Sequence, residues 1–523
     1  MGVDSLTPLG PLAAESTTAP QLWSRQLRAS YLIALGELID GYDLLVMGVA
    51  LLFLKGDLGL SDAQLGVVGA VSFLGTSVGL IVFGDLSDRY GRRRIFVLNL
   101  YLFIAFALAS ACVTSLWQLV AARFLMGVGI GMGIPASTAY LAEVAPAQRR
   151  GALLGSLPNS LWIAGALLSI ALALPLINWA GERSWRYLMG FGALPALLVL
   201  LMRRALPESP RWLLAQGRRE EALATMACLG MTLGSIAEIE TGRSRQRATS
   251  YSDLFAAPWL RRIVLVTVIF SLNGLAGSVT TICAPLVMKR VAALSDSAAL
   301  VFTGLTWLVA LFGTLVSAVL IDRVGRRRLC YGSTLTFSAA ALAMASWGSR
   351  YPAVLIGGFF VITLATWSGI AVLTWVWASE LFPTMLRGRS QGFASAACRV
   401  AVAANILVMP VALSTVSFSS YMTVLSLAML SIALLTPTRQ GNDLDGFDTT
   451  IYNFIYLIHQ FFAGCGRIIK SKFGLLLDIF IVTAFGVTIS HSTLKKPGTS
   501  CQDNGFNSFR MFKDVKQCHM PSQ

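Results

Sequence analysis

Long apolar runs separated by short polar loops dominate the chain. The runs fall at about 31–54, 65–85, 95–113, 117–140, 152–174, 186–202, 263–285, 299–321, 328–347, 352–376, 390–413 and 419–436. A helix rises 1.5 Å per residue, so about 20 apolar residues cross a bilayer core. Each run therefore predicts one spanning helix, numbered here spans 1 to 12. A polar break at 203–262, rich in arginine, divides them six and six. The expected fold class is an all-α membrane protein with twelve transmembrane helices in two six-helix halves. Its expected organisation is a cytoplasmic N-terminal segment 1–30, a first half 31–202, a cytoplasmic linker 203–262, a second half 263–436 and a tail 437–523.

The two halves carry the same polar punctuation. Gly84-Asp85-Leu86-Ser87-Asp88-Arg89-Tyr90-Gly91-Arg92-Arg93-Arg94 follows span 2, and Ala318-Val319-Leu320-Ile321-Asp322-Arg323-Val324-Gly325-Arg326-Arg327-Arg328 follows span 8. Glu143-Val144-Ala145-Pro146 through Arg150-Gly151 after span 4 is echoed by Glu380-Leu381-Phe382-Pro383 through Arg387-Gly388 after span 10. Two repeats at nearly one offset imply two structurally equivalent membrane halves, the plan of a carrier that rocks about a central site.

Composition agrees with lipid as the main solvent: 55% hydrophobic residues, 13% charged and a mean hydropathy of +0.68. The formal charge of +15 is sorted by loop. About 24 Lys and Arg lie on the N-terminal segment and the loops after even-numbered spans. The opposite loops hold six, Lys55, Arg183, Arg186, Lys289, Arg290 and Arg350. The positive-inside rule then puts both ends of the twelve-span unit in the cytoplasm of a cell-membrane protein. Such sorting explains the basic residues without nucleic acid, which is not an expected partner. The first 22 residues have no apolar core, so no cleavable leader is expected. No CxxC, HExxH or GxxxxGK[ST] occurs, and the cysteines lack metal spacing. No metal, no cofactor and no enzymatic activity are expected. Beyond Arg439 the composition turns from arginine to lysine, and a stretch at 474–490 is apolar apart from Asp478. No role is assigned to that tail.

The loop motif G-x-L-x-D-R-x-G-R-R resembles the hallmark of the major facilitator superfamily, and the likeness covers about 25–445. Pro207-Glu208-Ser209-Pro210-Arg211-Trp212-Leu213, Arg123-Phe124-Leu125-Met126-Gly127-Val128-Gly129-Ile130-Gly131 and Glu380-Leu381-Phe382-Pro383-Thr384 are similar to sugar-porter signatures. Two stretches depart from that branch: Phe270-Ser271-Leu272-Asn273-Gly274-Leu275-Ala276 in span 7 and Leu157-Pro158-Asn159-Ser160-Leu161 in span 5 lack its sugar-contacting glutamines. Asp40-Gly41-Tyr42-Asp43 resembles instead the span 1 motif of aromatic-acid:proton symporters, a branch that also has an arginine where Arg399 falls. The resemblance implies alternating-access transport and a pairing of Asp43 with Arg123.

Charged side chains within a span are costly, about 2.5–3.5 kcal/mol each on insertion scales, and usually face a wet path. Glu37, Asp40 and Asp43 share one helix face at i, i+3 spacing. Asp43 lies near mid-membrane, and a carboxylate that alternates between burial and an arginine can take up and release a proton. Asp40, Asp43 and Arg123 are therefore the expected proton-coupling residues. Arg399 has no acid in its own span and is expected to be an unpaired cation recognising a carboxylate. Asn159, Asn273, Trp367 and Trp375 complete the expected substrate contacts, suited to a flat aromatic acid. Gly84, Asp88, Arg89, Gly91, Arg92, Glu143 and Arg150, with their second-half counterparts Asp322, Arg323, Gly325, Arg326, Glu380 and Arg387, are expected to form a cytoplasmic latch. Gly127, Gly129, Gly131 and Gly133 should let a neighbouring helix approach span 4. The expected function is proton-coupled symport of a small organic acid by a monomer in the lipid bilayer. The alternatives are a proton-coupled sugar transporter or a drug or metabolite exporter.

Overall fold

The computed structural model describes residues 19–146, 153, 157–204, 206–231, 251–256, 259–281, 284–382, 384–415 and 417–436. The expected tail, with its apolar stretch at 474–490, lies outside them. Among the described residues every regular element is helical. The first half comprises span 1 (Ala19–Asp57), span 2 (Asp62–Tyr90), span 3 (Arg92–Cys112), span 4 (Leu116–Val144), span 5 (Leu157–Ala180) and span 6, broken at Gly192 into Ser184–Phe191 and Ala193–Arg203. The second comprises span 7 (Leu260–Thr281, continued by Ala284–Arg290), span 8 (Asp296–Arg323), span 9 (Arg326–Trp347), span 10 (Pro352–Glu380), span 11 (Thr384–Thr415) and span 12 (Phe418–Leu435).

Ten described helices satisfy length and apolarity for crossing a membrane. One of them, Leu157–Arg203, runs through both span 5 and span 6, and span 1 falls outside the ten. Its charges Glu37, Asp40, Asp43 and Lys55 account for that, so the chemistry that marks span 1 also masks it as a membrane-crossing helix.

Short polar caps set where helices begin. Ser61, Ser115, Ser295 and Ser417 cap spans 2, 4, 8 and 12, each side chain accepting a backbone N–H from three residues on. These bonds satisfy donors that the first helical turn leaves open. Ser61 and Ser295 are 234 residues apart, the offset that also separates Gly91 from Gly325. Both glycines take positive φ, +99° and +85°, between the antiparallel spans they join. A side chain at either position would strain that turn.

The two halves pack by one scheme. Spans 1 with 5, 2 with 4 and 3 with 6 correspond to 7 with 11, 8 with 10 and 9 with 12. The halves meet along two seams, span 2 against span 11 and span 5 against span 8, which exchange under the same correspondence. At the first seam a Cβ on Gly66 would lie 2.5 Å from the Leu407 carbonyl, and the Ser77 hydroxyl donates to the Ala396 carbonyl at 3.0 Å. Away from the seams, Val301, Leu305, Leu308, Phe312, Leu315 and Val319 form an exposed apolar stripe along span 8. That is a lipid-facing surface.

Glycine governs the tight contacts inside the first half. Gly75 and Gly79 of span 2 lie on carbonyls of Phe124 and Val128, and Gly127 and Gly131 of span 4 lie on carbonyls of Ser72 and Thr76. Small residues at four-residue spacing let the two backbones touch, as expected for span 4. Gly129 and Gly133 turn elsewhere, toward span 3, where Asn99 donates to the Gly129 carbonyl at 3.0 Å. Spans 1 and 5 are joined likewise: Gly41 lies on the Trp162 carbonyl and Gly165 on the Leu38 carbonyl.

Candidate functional site

Span 1 carries the chemistry, and its Asp-Gly-Tyr-Asp motif divides the labour. Gly41 allows the backbone contact with span 5. Tyr42 turns to span 6 and donates its hydroxyl to the Leu188 carbonyl at 2.8 Å. Asp43 faces span 4, where Arg123 grips it with two bonds, Nη1 to Oδ1 at 2.6 Å and Nη2 to Oδ2 at 3.0 Å. Asp43 is 3% exposed and Arg123 0%. Charges this deeply buried persist only when paired, and the two-pronged geometry supplies the needed hydrogen bonds.

Asp40 and Glu37 continue the acidic face toward the arginine-rich end of the bundle. Both are half-buried and interact electrostatically with Arg399 of span 11 and Arg203 of span 6. Arg399 also lies over the Phe73 ring, 5.8 Å from its centroid. As expected, no carboxylate among the described residues forms an ion pair with Arg399, although Glu37 and Asp40 lie within its electrostatic reach. Those acids belong to span 1 of the other half, a proximity invisible within span 11 itself. Arg203 is a correction, because the sequence reading left it in the polar linker. It is 3% exposed, donates Nε to the Leu32 carbonyl at 3.0 Å and a second bond to the Ile33 carbonyl, and lies 4.8 Å from the Phe96 ring centroid. Gly36 leaves the room it occupies, since a Cβ there would lie 2.6 Å from Nη2. A small residue one turn before an acid was the available signal. Around span 1, three carboxylates (Glu37, Asp40, Asp43) thus lie near three guanidinium groups (Arg123, Arg203, Arg399), and Asp43 with Arg123 is the pair in direct contact.

Two of the expected substrate contacts, Trp367 and Trp375, pack against different aromatic rings. Asn159 and Asn273 are half-buried on spans 5 and 7, and the Asn273 Oδ1 is buried without a hydrogen-bond partner. Trp375 packs edge-on against Phe270, centroids 5.5 Å apart. Trp367 instead meets Trp162 and Trp307. The sequence reading did not single out Trp162, nor Asn405, which donates to the Ser278 hydroxyl at 2.8 Å and accepts from the Tyr421 hydroxyl at 3.1 Å, linking spans 7, 11 and 12.

The repeated loop residues pair alike in both halves. Arg92 lies 3.4 Å from Glu143, and Arg326 lies 2.7 Å from Glu380. In the first half Glu208 adds a cap, accepting the backbone N–H of Arg92 at 2.9 Å and of Arg93 at 3.1 Å at the start of span 3. Negative charge there suits the helix dipole. Glu143 also accepts from Ser209. Gly84 is half-buried, and Arg89 and Arg323 are exposed. The side chains of Asp88, Asp322 and Arg387, and all of Arg150, fall outside the described atoms. At the opposite end an ion pair crosses between halves: Asp62 at the start of span 2 meets Arg290 at the end of span 7 at 2.7 Å and Lys55 at 3.0 Å.

Twelve spans in two equivalent halves, with this pattern of seams and loop pairs, define a major facilitator superfamily carrier. The profile of the sugar (and other) transporter family matches residues 29–451, and the chain belongs to that family. The "Probable metabolite transport protein CsbC" of Bacillus subtilis (strain 168) is 31% identical over 439 residues, covering 80% of this chain and 93% of that protein. The arabinose-proton symporter of the same organism is 32% identical over 382 residues, covering 69% and 80%. The xylose transporter of E. coli, in a partially occluded inward open conformation, superposes with a TM-score of 0.70 at 24% identity, over 80% of this chain and all of that one. The aromatic-acid branch expected from span 1 finds no support among these relatives.

Proposed function

We propose that the protein is a proton-coupled symporter of a neutral sugar, working by alternating access. The observation that supports the cargo class is the match of residues 29–451 to the sugar (and other) transporter family, with an arabinose-proton symporter among the relatives. The family and the arabinose-proton relative support a sugar and a proton.

Asp43 is the coupling carboxylate in this reading. Facing Arg123 it is ionised; protonation releases the arginine, and the freed charge must find new partners as the halves rock. Asp40 continues the path toward the arginine-rich side, which the positive-inside rule makes cytoplasmic. Arg92–Glu143 and Arg326–Glu380 act as the latch at that side. Asn159 and Asn273 are contacts for sugar hydroxyls. The second reading, an organic acid, is retained only as the comparison arm of the test.

A membrane potential separates the two cargo classes. A neutral sugar moving with one proton carries net positive charge, so an inside-negative potential alone should drive its accumulation, with about 2.3 kcal/mol per 100 mV for each charge. A monovalent carboxylate moving with one proton carries none. Proteoliposomes with a potassium diffusion potential and no pH gradient should accumulate pentose or hexose. Uptake of benzoate or nicotinate that only equilibrates and is insensitive to the potential, with no sugar uptake, would overturn the proposal.

A further inference from the structure

Where span 5 of one half meets spans 8 and 10 of the other, three indoles converge. Trp162 and Trp307 have centroids 5.0 Å apart with planes at 62°, Trp162 and Trp367 lie 5.9 Å apart at 32°, and Trp307 and Trp367 lie 5.9 Å apart at 60°. Trp307 is 2% exposed, and its Nε1–H is buried with no hydrogen-bond acceptor among the described residues. A buried indole N–H ordinarily finds an acceptor. Trp162 and Trp367 are only half-buried although they sit on the inner seam. Trp367 also belongs to a π-helical turn, Thr366–Ile370, inside span 10. Such turns interrupt regular bonding and are frequent at functional sites. Trp162 is one turn beyond Asn159, and its carbonyl touches Gly41, beside Asp40.

We propose that Trp162, Trp307 and Trp367 form the surface on which a pyranose ring lies, with Trp307 Nε1–H donating to one of its hydroxyls, and that this surface selects cyclic sugars over open-chain polyols. The inference rests on the sugar-symport reading and narrows it. A pyranose chair presents a rigid face of C–H bonds to the electron-rich face of an indole, while its hydroxyls project at the rim toward donors and acceptors. An open-chain polyol has the same hydroxyls but no fixed apolar face, and must freeze several rotors to bind. Because Trp162 belongs to one half and Trp307 and Trp367 to the other, a ring seated on all three is held by both moving bodies.

The test uses the full chain in proteoliposomes with D-xylose, D-glucose and L-arabinose, their alditols, and monodeoxy analogues. Wild type should prefer each pyranose to its alditol by at least tenfold in KM. Trp307→Phe keeps the ring and removes the donor, and should raise KM for the best pyranose about five- to tenfold with the maximal rate nearly unchanged. For one monodeoxy analogue wild type and Trp307→Phe should have the same KM, because the hydroxyl that met the donor is gone. Trp162→Leu should shrink the ring-to-alditol preference. Equal KM for pyranoses and alditols in wild type, which needs no variant, overturns the inference, as does an unchanged KM in Trp307→Phe. Wild type that takes up none of these sugars overturns the symport reading itself and this inference with it.

Discussion

Replacing Asp43 by asparagine tests the coupling site most directly. The carboxylate holds Arg123 through bonds of 2.6 and 3.0 Å, and neither side chain reaches water. Asp43→Asn leaves a guanidinium charge buried and unanswered at that point, which costs about 3–5 kcal/mol. Replacing both partners, Asp43→Asn with Arg123→Gln, removes the two burial costs together and should return stability to within about 2 kcal/mol of wild type. The single variant should therefore melt well below the double variant in detergent. Transport should follow a different order. Neither variant keeps a carboxylate at position 43, so both should lose uphill accumulation driven by a pH gradient. The double variant, having an intact and neutral site, should keep sugar exchange under counterflow. A single variant as stable as the double would refute the electrostatic argument. Uphill accumulation surviving in Asp43→Asn would refute the coupling role.

Three further outcomes are expected. Gly127→Ala should sharply reduce the yield of monodisperse protein, because its Cβ would collide with the Ser72 carbonyl, whereas Gly129→Ala, whose nearest neighbour is the Leu102 Cβ at 3.4 Å, should be tolerated; size-exclusion profiles compare them. Arg290→Gln removes the ion pair with Asp62 that ties the halves at the end opposite the arginine-rich loops, and should raise by a few-fold the maleimide labelling rate of a cysteine placed at Leu407; an unchanged rate would mean the pair bears no load. Glu208→Gln should lower the thermal stability of the first half by about 1–2 kcal/mol, because a charged acceptor for two N–H groups at the start of span 3 becomes a neutral one.

Much of this architecture is legible in the chain. Membrane thickness fixes span length, so hydropathy locates the helices, and the repeated loops locate the halves. Asp43 was legible because a charge in mid-membrane must be explained, and the likeness to related carriers supplied its partner in span 4. The neighbours of Arg399 and Arg203 were not legible, for one physical reason. Whether a charge is paired depends on which helices touch, and that is set by seams such as span 2 against span 11, where the determinants are single glycines and carbonyls. Arg203 followed the apolar run of span 6 by one residue and looked like loop. The indole cluster was hidden differently: Trp367 stood out in the second half, but Trp162 lies in the other half and 145 residues before Trp307. Nothing in local pattern joins them.

The first half is bonded, through glycine, into two stiff plates: spans 1 and 5 along Gly41 and Gly165, and spans 2 and 4 along Gly75, Gly79, Gly127 and Gly131. Asp43 belongs to one plate and Arg123 to the other, so their ion pair acts as a rivet between them. In the proposed coupling, a proton arriving at Asp43 loosens a joint between these two packed parts, so that the effect of one titration is carried along the whole length of both plates.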